Sequence, residues 1–127
     1  MTASKDDPVF SSGLKHIKPE FLGEGNKAFA KLNFVKATVL VSTTPGLDVY
    51  QWKRSKDVDC YMHILHAAND VSLYKMFGLD YYDSVIVNGQ FQIDEIRKLE
   101  RYRQVFCANF ILASAPSAQL EAPQFAP

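Results

Sequence analysis

Three short apolar runs punctuate the chain, and each ends on a small polar cluster. Ala37–Val41 leads into Ser42-Thr43-Thr44-Pro45-Gly46, Tyr61–Leu65 into His66-Ala67-Ala68-Asn69-Asp70, and Val85–Val87 into Asn88-Gly89-Gln90. These runs are rich in residues that suit a pleated, buried surface, and turn formers bound them. That pattern predicts strands over residues 37–41, 59–65 and 84–87. Between them the apolar spacing lengthens toward the helical period. Phe29 and Leu32, with Ala28 and Val35, give Glu24–Phe34 one apolar face. Leu47–Arg54 reads as a short helix with Leu47 and Tyr50 on one side. Asp70–Phe77 reads as another, capped by Asn69 or Asp70 and closed by Gly78 in a left-handed conformation. The strongest helical pattern is Gln92–Gln104, where Ile93, Ile96 and Leu99 repeat and Tyr102 extends the stripe. Asn88 stands where it can cap that helix, and Asp94 with Lys98 makes a favourable i,i+4 pair. Val105–Ala113 is apolar enough for a fourth strand.

Strands that alternate with helices predict an α/β fold, a small parallel sheet flanked by helices. The carboxyl ends of parallel strands share one edge, and ligands bind there. On that topology Thr43, Thr44, His66 and Asn88 line one cleft, with Asp70 placed to orient His66. Residues 1–22 carry Pro8, Gly13 and Pro19 without a sustained period and read as a loose arm. Residues 23–113 form the α/β unit. Residues 114–127 are rich in Ala, Pro, Ser and Gln, a composition that predicts disorder.

Composition narrows the function classes. The chain has 127 residues, enough for one modest domain with a real core. Its 14 basic residues balance its 14 acidic ones, which argues against a nucleic-acid partner. Cys60 and Cys107 are too few and too far apart for a disulfide framework, so a reduced, cytoplasmic setting is expected. The polar start Met1–Pro8 lacks an apolar signal core, and no run reaches the ~20 apolar residues of a membrane span. A soluble protein is expected, with room for peripheral contact at a membrane surface.

His66 is the leading chemical candidate. An imidazole titrates near neutral pH and can act as a general base, and the alanines after it let a substrate approach closely. Cys60, His63 and His66 have zinc-type donors, but alternation on a strand turns residue 63 away from residues 60 and 66. No metal site is therefore expected. Thr43-Thr44-Pro45-Gly46 can offer hydroxyl and backbone donors to a phosphate, or can simply turn the chain. There is no G-x-G-x-x-G, no P-loop lysine motif and no G-x-S-x-G elbow. Tyr81-Tyr82 and Tyr50 with Trp52 read as packing residues.

One family likeness covers about half the chain, from Ala37 to Arg103. Its residues are Ser42-Thr43-Thr44-Pro45-Gly46-Leu47-Asp48-Val49-Tyr50, then Tyr61–His66, Leu79–Gly89 and Gln92–Glu100. In that order they resemble the amino-terminal half of GT-B-type transferases, above all the bacterial CDP-glycerol glycerophosphotransferase-like proteins of wall and capsule polymer synthesis. The resemblance implies a Rossmann-like half of a GT-B fold and a transfer from CDP-glycerol to a lipid-linked polymer acceptor. His66 falls where that family places a histidine thought to activate the acceptor hydroxyl. The family follows that histidine with glycine, where this chain has Ala67. No cofactor is implied. The donor binds chiefly in a carboxyl-terminal domain that residues 1–127 do not include, so the expectation is an incomplete fold, inactive alone. The alternative expectations are a non-catalytic α/β binding module and a fragment of another GT-B glycosyltransferase.

Overall fold

The computed structural model describes residues 1–49, 51–66, 71, 74, 77–104 and 109–113. Four parallel strands form one sheet in the order β1 (Ala37–Ser42), β2 (Val58–Ile64), β3 (Ser84–Val87) and β4 (Asn109–Leu112). Helix α1 (Asn26–Leu32) precedes β1, and α2 (Gln90–Arg103) joins β3 to β4. The α/β fold and the parallel sheet agree with the sequence pattern. Among the described residues, no helix is long and apolar enough to cross a membrane.

Register explains which side chains make the core. Leu40 pairs with Tyr61, His63 with Val85, and Val85 with Phe110, so these residues share one face. Leu65 and Val87 follow in the same alternation. Leu47, Trp52, Val71, Leu79, Tyr82 and Ile96 cover that face and complete the buried cluster. The opposite face carries Val39, Val41, Cys60, Met62, Ile64, Ile86 and Ile111. Val39 and Val41 keep 47% and 52% of their surface exposed. Parallel sheets normally bury both faces, so this sheet is covered on one side only among the described residues.

An ionic tie closes the amino end of the sheet. Asp83 Oδ2 accepts from the Tyr61 backbone N–H at 2.7 Å and from Arg54 Nη2 at 2.8 Å. The Arg54 guanidinium lies over the Tyr61 ring, 4.6 Å from its centre. The Tyr61 hydroxyl in turn accepts from the Ser55 backbone N–H at 2.7 Å. The Asp83 carboxyl is half-exposed and its burial raises its pKa, but Arg54 and the backbone donors outweigh that and hold it below the ordinary range.

Several expectations are corrected. In place of the expected helix over Leu47–Arg54, residues 47–49 turn and 52–54 are irregular, with Tyr50 outside the described residues: Asp48 takes φ 60°, and its carboxylate accepts from the Arg54 backbone N–H at 3.1 Å. That local bond offers the backbone an alternative to helix. Most of Asp70–Phe77, with Asn69 and Asp70 as its caps, lies outside the described residues; at its end Phe77, not Gly78, takes the positive φ. Helix α2 starts two residues earlier than its apolar stripe suggests, behind Gly89. Ile96 on α2 is buried, but Tyr102 is 79% exposed and leaves the stripe. Asp94 accepts from Gln90 at 3.1 Å rather than pairing with Lys98. Within residues 1–22, Thr2 pairs with Phe21 in a β-bridge, and a 3-10 turn spans Pro8–Ser11. Cys107, the first part of the 105–113 segment and the 114–127 tail lie outside the described residues, whereas β4 falls inside the expected fourth strand.

Candidate functional site

The carboxyl ends of the strands fall on one edge because all neighbours run parallel. Ser42 pairs with His63, Ile64 with Ile86, and Val87 with Leu112. Thr43 and Thr44, His66, and Asn88 therefore leave the sheet from the same edge. Beyond the last β2–β3 pair, Ile64 with Ile86, His66 and Asn88 each stand two residues further along. Asp70, the expected orienter of His66, lies outside the described residues.

Each of the four residues has a distinct local environment. Thr43 and Thr44 are exposed. Ser42 Oγ accepts from the Thr44 backbone N–H at 2.9 Å and donates to the Thr44 carbonyl at 3.1 Å, which folds the loop back on the strand. The Tyr82 hydroxyl donates to the same carbonyl at 2.6 Å. Among the described residues, no protein group engages the Thr43 or Thr44 hydroxyl. The His66 ring is exposed at the end of β2. Its backbone is held from one residue away: the Leu65 N–H donates to the Ile86 carbonyl at 3.0 Å, and the Leu65 carbonyl accepts from Asn88 Nδ2 at 2.8 Å.

Asn88 thus has a structural task that differs from the expected cap. Its carboxamide ties β3 to β2, and the N-cap of α2 is Gly89, without a side-chain bond. The first turn is served instead by buried Gln92, whose Oε1 accepts from the Asn88 backbone N–H at 2.8 Å. Through that bond the side chain of Asn88 positions the His66 segment.

Behind the exposed histidine sits a second one. His63 is fully buried, and neither ring nitrogen has a hydrogen-bond partner among the described residues. Its ring packs against Tyr82 at 5.0 Å and edge-on to Tyr74 at 5.8 Å. Burial first, and the nearby His66 second, push its pKa down to about 4, so the ring is neutral at pH 7. Burial also raises the Tyr74 and Tyr82 hydroxyls above their ordinary range. Alternation along β2 turns His63 into the core and Cys60 to the opposite face. Among the described residues, no group of three metal-type side chains converges.

The edge is open. A groove of about 520 Å³ reaches it at Ser42–Thr44 but does not extend to His66 or Asn88. The arrangement offers an accessible imidazole, two hydroxyls unengaged among the described residues and a hydrogen-bonded backbone turn on one rim. That set can remove a proton from a bound hydroxyl group and hold an oxyanion beside it. Sequence reasoning found the rim, but it missed the tie between Asn88 and Leu65 and the buried status of His63. Only the two-residue alternation of β2 carries a sequence signal for the second.

No protein family, curated protein or solved structure matches the chain.

Proposed function

We propose that the chain supplies the acceptor side of a phosphoryl-type transferase of the CDP-glycerol glycerophosphotransferase kind. The observation that carries this reading is the exposed His66 ring on the same carboxyl edge as the unengaged Thr43 and Thr44. The ordered likeness from Ser42 to Glu100 adds to it. In this scheme the acceptor hydroxyl of a lipid-linked polymer gives its proton to His66. Its oxygen attacks the β-phosphorus of CDP-glycerol, a new P–O bond forms, and the bond to CMP breaks. Thr43 and Thr44 hold phosphate oxygens near the attack line, and Asn88 fixes the His66 segment through Leu65. Positioning and charge stabilisation supply most of the acceleration in such transfers. The donor nucleotide is held by a second domain facing this edge, at the inner face of a membrane.

The test is CMP release from CDP-glycerol with a lipid-linked acceptor, using this chain alone and with a donor-binding domain supplied. Turnover is expected only in the supplemented reaction, and His66→Ala should remove it by about 10²-fold or more. Equal turnover by His66→Ala would sink the assignment of the base. A second reading is favoured by the groove of about 520 Å³, which reaches Thr43 and Thr44 but not His66 or Asn88. The edge would then bind a phosphorylated ligand without transforming it. Calorimetry with nucleotides, glycerol phosphates and sugar phosphates separates the two: binding without turnover in the supplemented reaction supports the binding module.

A further inference from the structure

His63 lies inside the sheet, paired by register with Ser42 on β1 and Val85 on β3, so ladders on both sides hold its strand. Part of its cover has no ladder. The Tyr82 ring lies 5.0 Å from the imidazole and belongs to residues 77–82, the turn just ahead of β3. Arg54 and Arg103 hold this turn through the Tyr81 carbonyl and the Asp80 carboxylate. The turn is also tied to the β1 loop at two points. The Tyr82 hydroxyl donates to the Thr44 carbonyl at 2.6 Å, and the Gly46 N–H donates to the Gly78 carbonyl at 2.8 Å. One short segment therefore packs on the buried ring and fastens the loop that carries Thr43 and Thr44.

We propose that residues 77–82 form a proton-driven clasp: when His63 takes a proton, the turn lifts from the ring and releases the Thr43–Thr44 loop while the strand ladders persist. In its closed place a protonated ring has no counter-charge among the described residues. Tyr74 and Tyr82 face it with neutral phenols, and His66 at the strand's end adds repulsion. The carboxylates of the surrounding elements are engaged: Glu95 by the Val71 N–H, Asp80 by Arg103, Asp83 by Arg54 and Glu100 by Arg97. A buried charge without a partner must be lost or reach water. Moving β2 breaks two ladders, whereas lifting the turn breaks single bonds, so the cover yields first. Linkage sets the scale. The closed ring refuses the proton until about pH 4, and a wetted one takes it at the ordinary 6.5. The opening constant therefore rises about 20-fold from pH 7 to pH 5. The inference needs only the ring, the turn and the loop, and it stands apart from the transferase reading.

The test is amide hydrogen exchange on the full chain, read by NMR and corrected for the intrinsic pH dependence of exchange. Protection of the Gly46 N–H should fall about 20-fold from pH 7 to pH 5. Low urea separates this opening from global unfolding. Gly46 should exchange with little urea dependence, whereas the Leu65 N–H, bonded to the Ile86 carbonyl, should show the full dependence of unfolding. His63→Phe and His63→Leu, with folds checked by circular dichroism, should hold Gly46 protection at pH 5 within about twofold of its value at pH 7. Tyr82→Phe keeps the ring and loses the hydroxyl, so it should lower Gly46 protection at pH 7 by about fivefold. The wild-type comparison decides even where a variant does not fold. Undiminished Gly46 protection at pH 5 overturns the proposal, since the ring then takes its proton with the turn closed or escapes past Tyr74. One shared protection and urea dependence for Gly46 and Leu65 marks global unfolding and also overturns it. So does a folded His63 variant that keeps the fall, or unchanged Gly46 protection in Tyr82→Phe.

Discussion

Replacing His63 with phenylalanine should flatten the acid side of the stability profile. The wild-type ring is sealed between Tyr74 and Tyr82, and burial with the nearby His66 lowers its pKa from 6.5 to about 4. The unfolded chain binds this proton as pH falls below 6.5, while the folded chain refuses it until about pH 4. Stability therefore rises with pH across that window. Linkage gives a loss of about 2 kcal/mol at pH 5 relative to pH 8, and about 3 kcal/mol below pH 4. Against a typical net stability of about 5–15 kcal/mol, that is readily measured. Asp7 and Asp83 have pKa values below the ordinary 3.8, so the stability they add is lost only as pH falls through that region. Among the described residues, the interval from pH 5 to 7 thus singles out the buried histidine. Urea unfolding followed by circular dichroism at several pH values reads the slope. His63→Phe should lose it and, by removing two polar atoms unpartnered among the described residues, should be at least as stable at pH 7. His63→Leu serves as a second variant of smaller volume. The same slope in wild type and both variants would refute the assignment of the titration to this ring.

Other substitutions probe the frame around the site. Asp83→Ala should destabilise by about 1–2 kcal/mol in urea titrations, because the Tyr61 N–H loses its carboxylate and Arg54 its partner; partial exposure keeps the figure modest. Gln92→Ala should cost about 1–2 kcal/mol, since it strips the partly buried Asn88 N–H of its acceptor and empties a buried side-chain site. Tyr61→Phe should cost about 1–2 kcal/mol by leaving the buried Ser55 N–H without an acceptor. His66→Ala, at an exposed position, should leave the unfolding midpoint within about 0.5 kcal/mol of wild type.

The fold was legible where a single period dominated. From Tyr61 onward β2 alternates, and its buried positions 61 and 63 and the following Leu65 identify the core face. The parallel order follows from alternation of strand and helix signals, which is a topological argument needing no contact information. Local rules failed where a short polar side chain competed with helix. Leu47–Arg54 has helical spacing, yet the Asp48 carboxylate captures the Arg54 N–H and turns the segment. The start of α2 was misjudged for a related reason. Asn88 is a strong N-cap type, but its carboxamide finds the Leu65 carbonyl on the next strand, a partner 23 residues away. Nothing in the local sequence announces that pairing.

The candidate site shows how far one-dimensional reasoning reaches. Placing Thr43, Thr44, His66 and Asn88 on one rim required only strand direction. Distinguishing His66 from His63 required knowing which face of β2 is covered, and the sequence does carry that: Tyr61, His63 and Leu65 alternate inward, while His66 stands beyond the strand. A buried imidazole three residues before an exposed one has a chemical consequence. The neutral ring beneath keeps a positive charge away from the back of the rim at pH 7. His63→Lys, placing a charge at that depth, should for the same reason disturb folding far more than any change at His66.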